Sequence, residues 1–182
     1  RPRIGLVWYG SRGFRGDRYR SVPLEAFAPL LMRDDVAWVS LQKMRPDGAV
    51  SQELTSRLID CMDEVKDFAD TAALISTLDL VVTVDTAVAH LAGALGKPVW
   101  MLNRFNSEWR WMRGRSDSPW YPGMRLFKQQ KPAVWEPVLG EIAAALRDWL
   151  AQWPGRGEAA ARPDAVPYQP PAVEVVSADR YM

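Results

Sequence analysis

Short hydrophobic runs alternate along the chain with stretches that carry apolar residues at helical spacing. Ile4-Gly5-Leu6-Val7-Trp8 is apolar throughout and runs into a Gly/Ser/Arg segment, the pattern of a buried strand entering a loop. Leu24 to Met32 reads as a helix, with Ser21 placed as its cap and Pro23 in the first turn, where a missing N–H costs nothing. Val36 to Leu41 predicts a second strand, Ser51 to Leu58 a helical stretch, and Leu58 to Cys61 a short third strand. Asp67 or Asp70 can cap a helix running through Ala73 to Leu78. Leu80-Val81-Val82-Thr83-Val84 is rich in β-branched residues and predicts the clearest strand of the chain. Ala87 to Leu95 then predicts a helix closed by Gly96, Pro98 to Leu102 a strand, and Val134 to Trp153 a final amphipathic helix.

Strands that are continuous hydrophobic runs separated by helices imply an α/β fold, a doubly wound and mostly parallel sheet covered on both faces. Such a Rossmann-like sheet binds ligands beyond the carboxyl ends of its strands, so the loops after Trp8, Leu41, Val84 and Leu102 are where chemistry is expected. The aromatic and arginine-rich segment from Asn103 to Gln130 should cross the same edge.

The length of 182 residues suits one domain, read as residues 1–153, followed by a Pro/Ala-rich extended or disordered tail over residues 154–182. The basic side chains number 23 and the acidic ones 22, so net charge gives no reason to expect nucleic acid as partner. A single cysteine, Cys61, excludes an intramolecular disulfide framework and points to a reducing, cytoplasmic compartment. With His90 as the only histidine, no metal site is expected. No run approaches the ~18 apolar residues needed to span a bilayer. The opening Arg1-Pro2-Arg3 lacks both a methionine and a signal-peptide pattern, and a fragment of a longer protein is expected.

Several chemistries lose ground on spacing. Gly10, Gly13 and Gly16 follow the first strand as G-x-x-G-x-x-G, not the G-x-G-x-x-G that seats a dinucleotide pyrophosphate. Gly93-Ala94-Leu95-Gly96-Lys97 is followed by proline and is no Walker A loop. A G-x-S-x-G elbow and an Asp-x-Asp pair are both absent, which argues against a serine hydrolase and against a metal-bridged nucleotide.

What remains is an anion site. Asp85-Thr86-Ala87-Val88-Ala89-His90 sits where a strand ends and a helix begins, so backbone N–H groups and the positive end of the helix dipole face the ligand edge. Asp85 could accept hydrogen bonds from sugar hydroxyls, while the Thr86 hydroxyl and the Ala87 amide could hold a phosphate. The competing reading makes Asp85 or Thr86 merely the helix N-cap, worth about 1 kcal/mol. Arg12, Arg15, Arg18 and Arg20 follow the first strand, and a diphosphate without a metal must be neutralised by such groups. Arg20, beside Ser21, is the best placed, and Arg12 and Arg15 read as a solvated loop. Gln42 and Lys43 end the second strand, where a ribose or base sits in a nucleotide fold. Trp109-Arg110-Trp111 and Trp120-Tyr121-Pro122 offer flat surfaces for sugar faces or for packing.

These segments occur in an order that resembles a known family. Ile4 to Trp8 with Gly10, Asp17-Arg18-Tyr19-Arg20-Ser21-Val22-Pro23-Leu24, Val39-Ser40-Leu41-Gln42-Lys43, Asp67-Phe68-Ala69-Asp70-Thr71-Ala72, Val84 to Gly93, and Trp109-Arg110-Trp111 with Asp117 to Pro122 resemble the C-terminal half of bacterial heptosyltransferase-like glycosyltransferases of family 9 type, which often follow tetratricopeptide repeats. The resemblance implies a GT-B enzyme whose two Rossmann-like halves face across a cleft, the C-terminal one binding a nucleotide-sugar donor. It places Arg20 on the donor diphosphate, Asp85 on the transferred sugar, Thr86 and Ala87 at the phosphate turn and His90 behind that turn, so Arg20, Asp85 and His90 are the catalytic candidates. Gly10, Ser21, Gln42, Lys43, Thr86 and Ala87 are the donor-binding candidates. No cofactor is implied beyond the nucleotide sugar as substrate, and the partners are an acceptor glycan or protein, an upstream GT-B half and tetratricopeptide repeats. The implied reaction is displacement at the anomeric carbon by an acceptor hydroxyl with inversion, the general base coming from the upstream half. A non-catalytic nucleotide-sugar-binding or assembly module is the alternative.

Overall fold

The computed structural model describes residues 1–11, 13–43 and 50–155. Arg12 and most of the tail expected over residues 154–182 therefore lie outside the described residues. Strands β1 (Arg3–Val7), β2 (Ala37–Ser40), β3 (Leu58–Ile59), β4 (Leu80–Val84), β5 (Val99–Asn103) and β6 (Met124–Lys128) form one sheet in the order β3-β2-β1-β4-β5-β6. Each neighbouring pair is parallel. This is the strand order of the dinucleotide-binding sheets, and the direction of winding reverses between β1 and β4. The fold is α/β and Rossmann-like, as expected.

The central strands form because their residues fit a pleated surface buried on both faces. All five residues of β4 are buried, and each large aliphatic side chain there contributes roughly 1.5 to 3 kcal/mol. Thr83 is the polar exception, and it donates its hydroxyl to the Val84 carbonyl at 2.8 Å instead of leaving it unpaired. Helices α1 (Ala28–Leu31), α2 (Gln52–Thr55), α3 (Phe68–Ser76), α4 (Ala87–Ala94) and α5 (Glu136–Gln152) flank the sheet. Helix α3 packs on α4, and α5 packs against the 3₁₀ turn Leu24–Phe27 that leads into α1. The expected Gly96 closes α4 with φ 69°, a left-handed conformation that a side chain rarely adopts. Lys97 then turns back, its ammonium donating to the Ser76 and Leu78 carbonyls at 2.7 and 2.8 Å and so serving the negative end of α3.

Two expectations are corrected. Ser21 caps nothing: Pro23 occupies the N-cap position of the 3₁₀ turn and no side chain bonds there. The segment Asn103 to Gln130 also contains β6, an edge strand that the hydrophobic pattern does not announce. Its burial is mixed, with Met124, Leu126 and Phe127 buried and Arg125 exposed; β5 pairs along one edge, and along the other the loop at Ser116 and Asp117 approaches, the Leu126 amide donating to the Ser116 carbonyl at 2.7 Å.

Candidate active site

The register Ile4↔Leu80 to Val7↔Thr83 brings the ends of β1 and β4 side by side, so the loop after Trp8 and the turn at Asp85 meet at the switch point. Beyond that edge lies a cavity of about 530 Å³. Its polar wall carries Arg20, Gln42, Lys43 and Thr86, and its apolar wall Tyr9, Leu41, Met62, Val65 and Phe68. The volume and the mixture of a large apolar surface with few polar groups are those of a small-molecule site.

Each candidate is built in by a traceable local reason. Asp17 opens a 3₁₀ turn, Asp17–Tyr19, that places Arg20 one turn further on. Arg20 donates through Nε to Asp17 Oδ1 at 2.8 Å and through Nη1 to the Asp85 carbonyl at 2.8 Å, across 65 positions of sequence. Its guanidinium also lies over the Phe14 ring, 4.7 Å from the centroid, and Arg104 reaches the same ring at 5.3 Å. Ser21 accepts from the Gly10 amide at 2.9 Å and donates to Asp17 Oδ2 at 2.8 Å. Gly10, Asp17, Arg20 and Ser21 thus form one hydrogen-bonded knot. Gly10 and Arg20 line the cavity while Asp17 is buried behind them.

Gln42 is buried at the end of β2, where its Oε1 accepts from the Trp8 and Tyr9 amides at 3.1 and 2.9 Å and its Nε2 donates to the Tyr9 carbonyl at 3.0 Å. It terminates β1 as a side-chain substitute for the next ladder bond. Lys43 donates to the Met62 carbonyl at 3.0 Å and to the Val65 carbonyl, which fixes the loop forming the apolar wall. Asp67 accepts from the Ala69 and Asp70 amides and caps α3, which sets the exposed ring of Phe68 at the cavity.

Thr86 stands at the N-cap position of α4 with extended backbone, but no side chain caps the helix. The Thr86 hydroxyl faces that of Thr83 at 3.3 Å instead. The capping reading of Asp85 and Thr86 therefore finds no capping bond, and Thr86, Ala87 and Val88 line the cavity with the amides of the first turn uncapped. Asp85 is only 8% exposed, and among the described residues no donor reaches its carboxylate. It does not line the cavity but lies beside it, on the side of His90.

His90, one turn into α4, stacks on the buried Trp111 with centroids 5.1 Å apart, and its Nδ1 lies 2.9 Å from the Tyr121 hydroxyl. Burial pushes the imidazole below its ordinary value, while Asp85 pulls it up and Arg110 pushes it down. The structure therefore gathers the candidates into two adjoining groups, one around the cavity and one around Asp85 and His90, joined by the bond from Arg20 to the Asp85 carbonyl.

Sequence reasoning assigned no site role to Asp17, Phe14, Phe68 and Arg104, although it placed the loop after Trp8 and the segment from Asn103 at this edge. The Asp17-x-x-Arg20 spacing, which suits one helical turn, was the available signal for the first. Among the described residues no cluster of His, Cys, Asp or Glu could hold a metal ion, and no helix is long and apolar enough to cross a membrane.

No solved structure matches the chain. The protein FlbA of Caulobacter vibrioides is 34% identical to it over 157 residues, which cover 82% of this chain and 26% of that protein. The chain thus spans about a quarter of the length of this curated relative. Residues 66–118, from the approach to α3 through α4 to the Trp109–Trp111 turn, match the family described as glycosyltransferase family 9 (heptosyltransferase).

Proposed function

We propose that this chain is the nucleotide-sugar-binding domain, over residues 1–153, of a GT-B glycosyltransferase of the family 9 type. The observation that carries this reading is Asp85, a residue only 8% exposed whose carboxylate meets no donor among the described residues, beside the uncapped first turn of α4. A carboxylate at a nearly buried position that meets no donor has accepting capacity to spare, and sugar hydroxyls supply donors for it. The similarity of residues 66–118 to the family supports the same segment, whereas Gly10, Arg20, Ser21, Gln42 and Lys43 rest on geometry and resemblance alone.

In this mechanism the nucleotide occupies the cavity, with its base against the apolar wall and its phosphates on the Thr86, Ala87 and Val88 turn. Arg20 supplies positive charge there in place of a metal ion, and the sugar reaches Asp85 and His90. Departure of the nucleotide is then favoured by charge already in place, since preorganised donors cost no reorganisation as negative charge develops. The acceptor hydroxyl attacks from the opposite side of the anomeric carbon, which inverts it, and its proton goes to a base on the upstream GT-B half. An acceptor glycan or protein, tetratricopeptide repeats upstream and a cytoplasmic setting complete the proposal.

Titration calorimetry with a nucleoside diphosphate and with the matching nucleotide sugar tests it. Asp85→Asn should weaken the nucleotide sugar by roughly 1.5 to 3 kcal/mol and leave the bare diphosphate unchanged or tighter, because a nearby negative charge is removed. EDTA should change neither affinity. Equal losses for both ligands in Asp85→Asn would remove Asp85 from the sugar site.

A further inference from the structure

His90 is held by two aromatic side chains. Trp111, itself fully buried, stacks on the ring at an interplanar angle of 25°. Tyr121 meets it edge-on, with centroids 5.7 Å apart, and brings its hydroxyl to Nδ1 at 2.9 Å. Tyr121 is itself fixed, because its carbonyl accepts from the Met124 amide at the start of β6 and its ring lies on Gly93, where a Cβ would come within 2.5 Å of Tyr121 Cγ. The charged groups facing the imidazole are Asp85 at the end of β4 and Arg110 on the Trp109–Trp111 turn, with Tyr121 as the further titratable neighbour.

The direction of the bond between Tyr121 and His90 follows from donor and acceptor strength. A phenol O–H, with a pKa near 10, is a better donor than a neutral imidazole N–H, and an unprotonated imidazole nitrogen is a better acceptor than a phenol oxygen. The hydroxyl therefore donates to Nδ1, which leaves the proton of the neutral ring on Nε2. Protonating the imidazole would put a hydrogen on Nδ1 and require the hydroxyl to turn round, so the bond itself favours the neutral ring.

We infer that Tyr121 is a positioning residue that fixes His90 in the tautomer with Nδ1 as acceptor, so that His90 offers Nε2–H as a hydrogen-bond donor to a ligand oxygen and cannot act as the general base. The tautomer follows from the Tyr121–His90 contact together with donor and acceptor strength, and that Nε2–H meets a ligand oxygen, on a phosphate or a sugar, rests on the function proposed above. With Nδ1 occupied and Nε2 protonated, the ring has no lone pair to receive the acceptor's proton. That proton must leave by another group, which agrees with a base outside this domain.

The experiment uses the fact that the 182-residue chain has one histidine, so a single imidazole is observed. Nitrogen-15 long-range correlation spectra of the whole chain should show Nε2 protonated and Nδ1 bare at pH above the titration. Tyr121→Phe keeps the ring over Gly93 and removes only the hydroxyl, and the pKa of His90 should rise by about half a unit to one unit, as for loss of one hydrogen bond made to the neutral form. Unchanged near-ultraviolet circular dichroism confirms that the aromatic cluster stays in place. A proton on Nδ1 in the parent chain, or a His90 pKa that falls or stays level in Tyr121→Phe, overturns the inference. Failure of the nucleotide sugar to bind, with the tautomer as stated, would defeat the functional reading and leave the role of Tyr121 standing.

Discussion

A methyl group at Gly10 would lie 2.1 Å from Asp17 Oδ1 and 2.4 Å from Arg20 Nε, so the loop after β1 tolerates no side chain where Arg20 folds back. Gly10 is therefore a steric requirement of the knot, and its amide, bonded to Ser21, is already satisfied. Gly10→Ala must push either the carboxylate or the guanidinium aside. Overpacking of this kind costs about 1 to 3 kcal/mol, which urea denaturation would read as a lower midpoint with an unchanged slope. An unchanged midpoint would show that Arg20 swings away freely and that the bond to the Asp85 carbonyl carries little of the stability.

Among the elements, α4 starts without a capping side chain although a residue able to cap stands at the position. An N-cap side chain contributes roughly 0.5 to 2 kcal/mol, yet Thr86 holds the position without making the bond. Thr86→Asp should supply that bond and raise the melting temperature, while the added negative charge should weaken nucleoside diphosphate binding at least tenfold if phosphates sit on this turn. Undiminished binding in a stabilised variant would place the phosphates elsewhere. This turn was legible in the sequence because a β-branched run, an acidic residue and a helical period follow one another without a break. For the same reason β1, β4 and β5 were legible, whereas β6 was not: Met124-Arg125-Leu126-Phe127-Lys128 mixes charged and apolar residues, since an edge strand needs only part of its surface covered. The Arg20 and Asp85 pairing was legible only as a shared sheet edge. The roles of Asp17, Ser21 and Tyr121 were hidden because hydrogen bonds between loops leave no periodic trace, and a hydroxyl before a helix looks the same whether it caps the helix or ties down a glycine.

At the scale of the whole molecule, Arg20 adds a side-chain link to the β1–β4 ladder that joins the two halves of the sheet, reaching from the β1 loop to the carbonyl after β4. The same side chain is proposed to face the donor phosphates, so its substitution alone confounds architecture with binding. Arg20→Ala would leave Asp17, whose side chain is 9% exposed, without its charged partner, and a hydrogen bond to a charged group contributes roughly 1.5 to 3 kcal/mol. A double-mutant cycle with Asp17→Ala separates the two roles. The summed stability losses of the two single variants should exceed the loss of the double variant by about 0.5 to 3 kcal/mol of coupling, because the second substitution removes a group already orphaned. Nucleoside diphosphate affinity should behave differently, falling as far in Arg20→Ala as in the double variant and less in Asp17→Ala, where the guanidinium persists on the Asp85 carbonyl. If affinity instead followed stability across all three variants, Arg20 would be a structural link alone, and the phosphate charge would have to be met by the α4 turn and its neighbours.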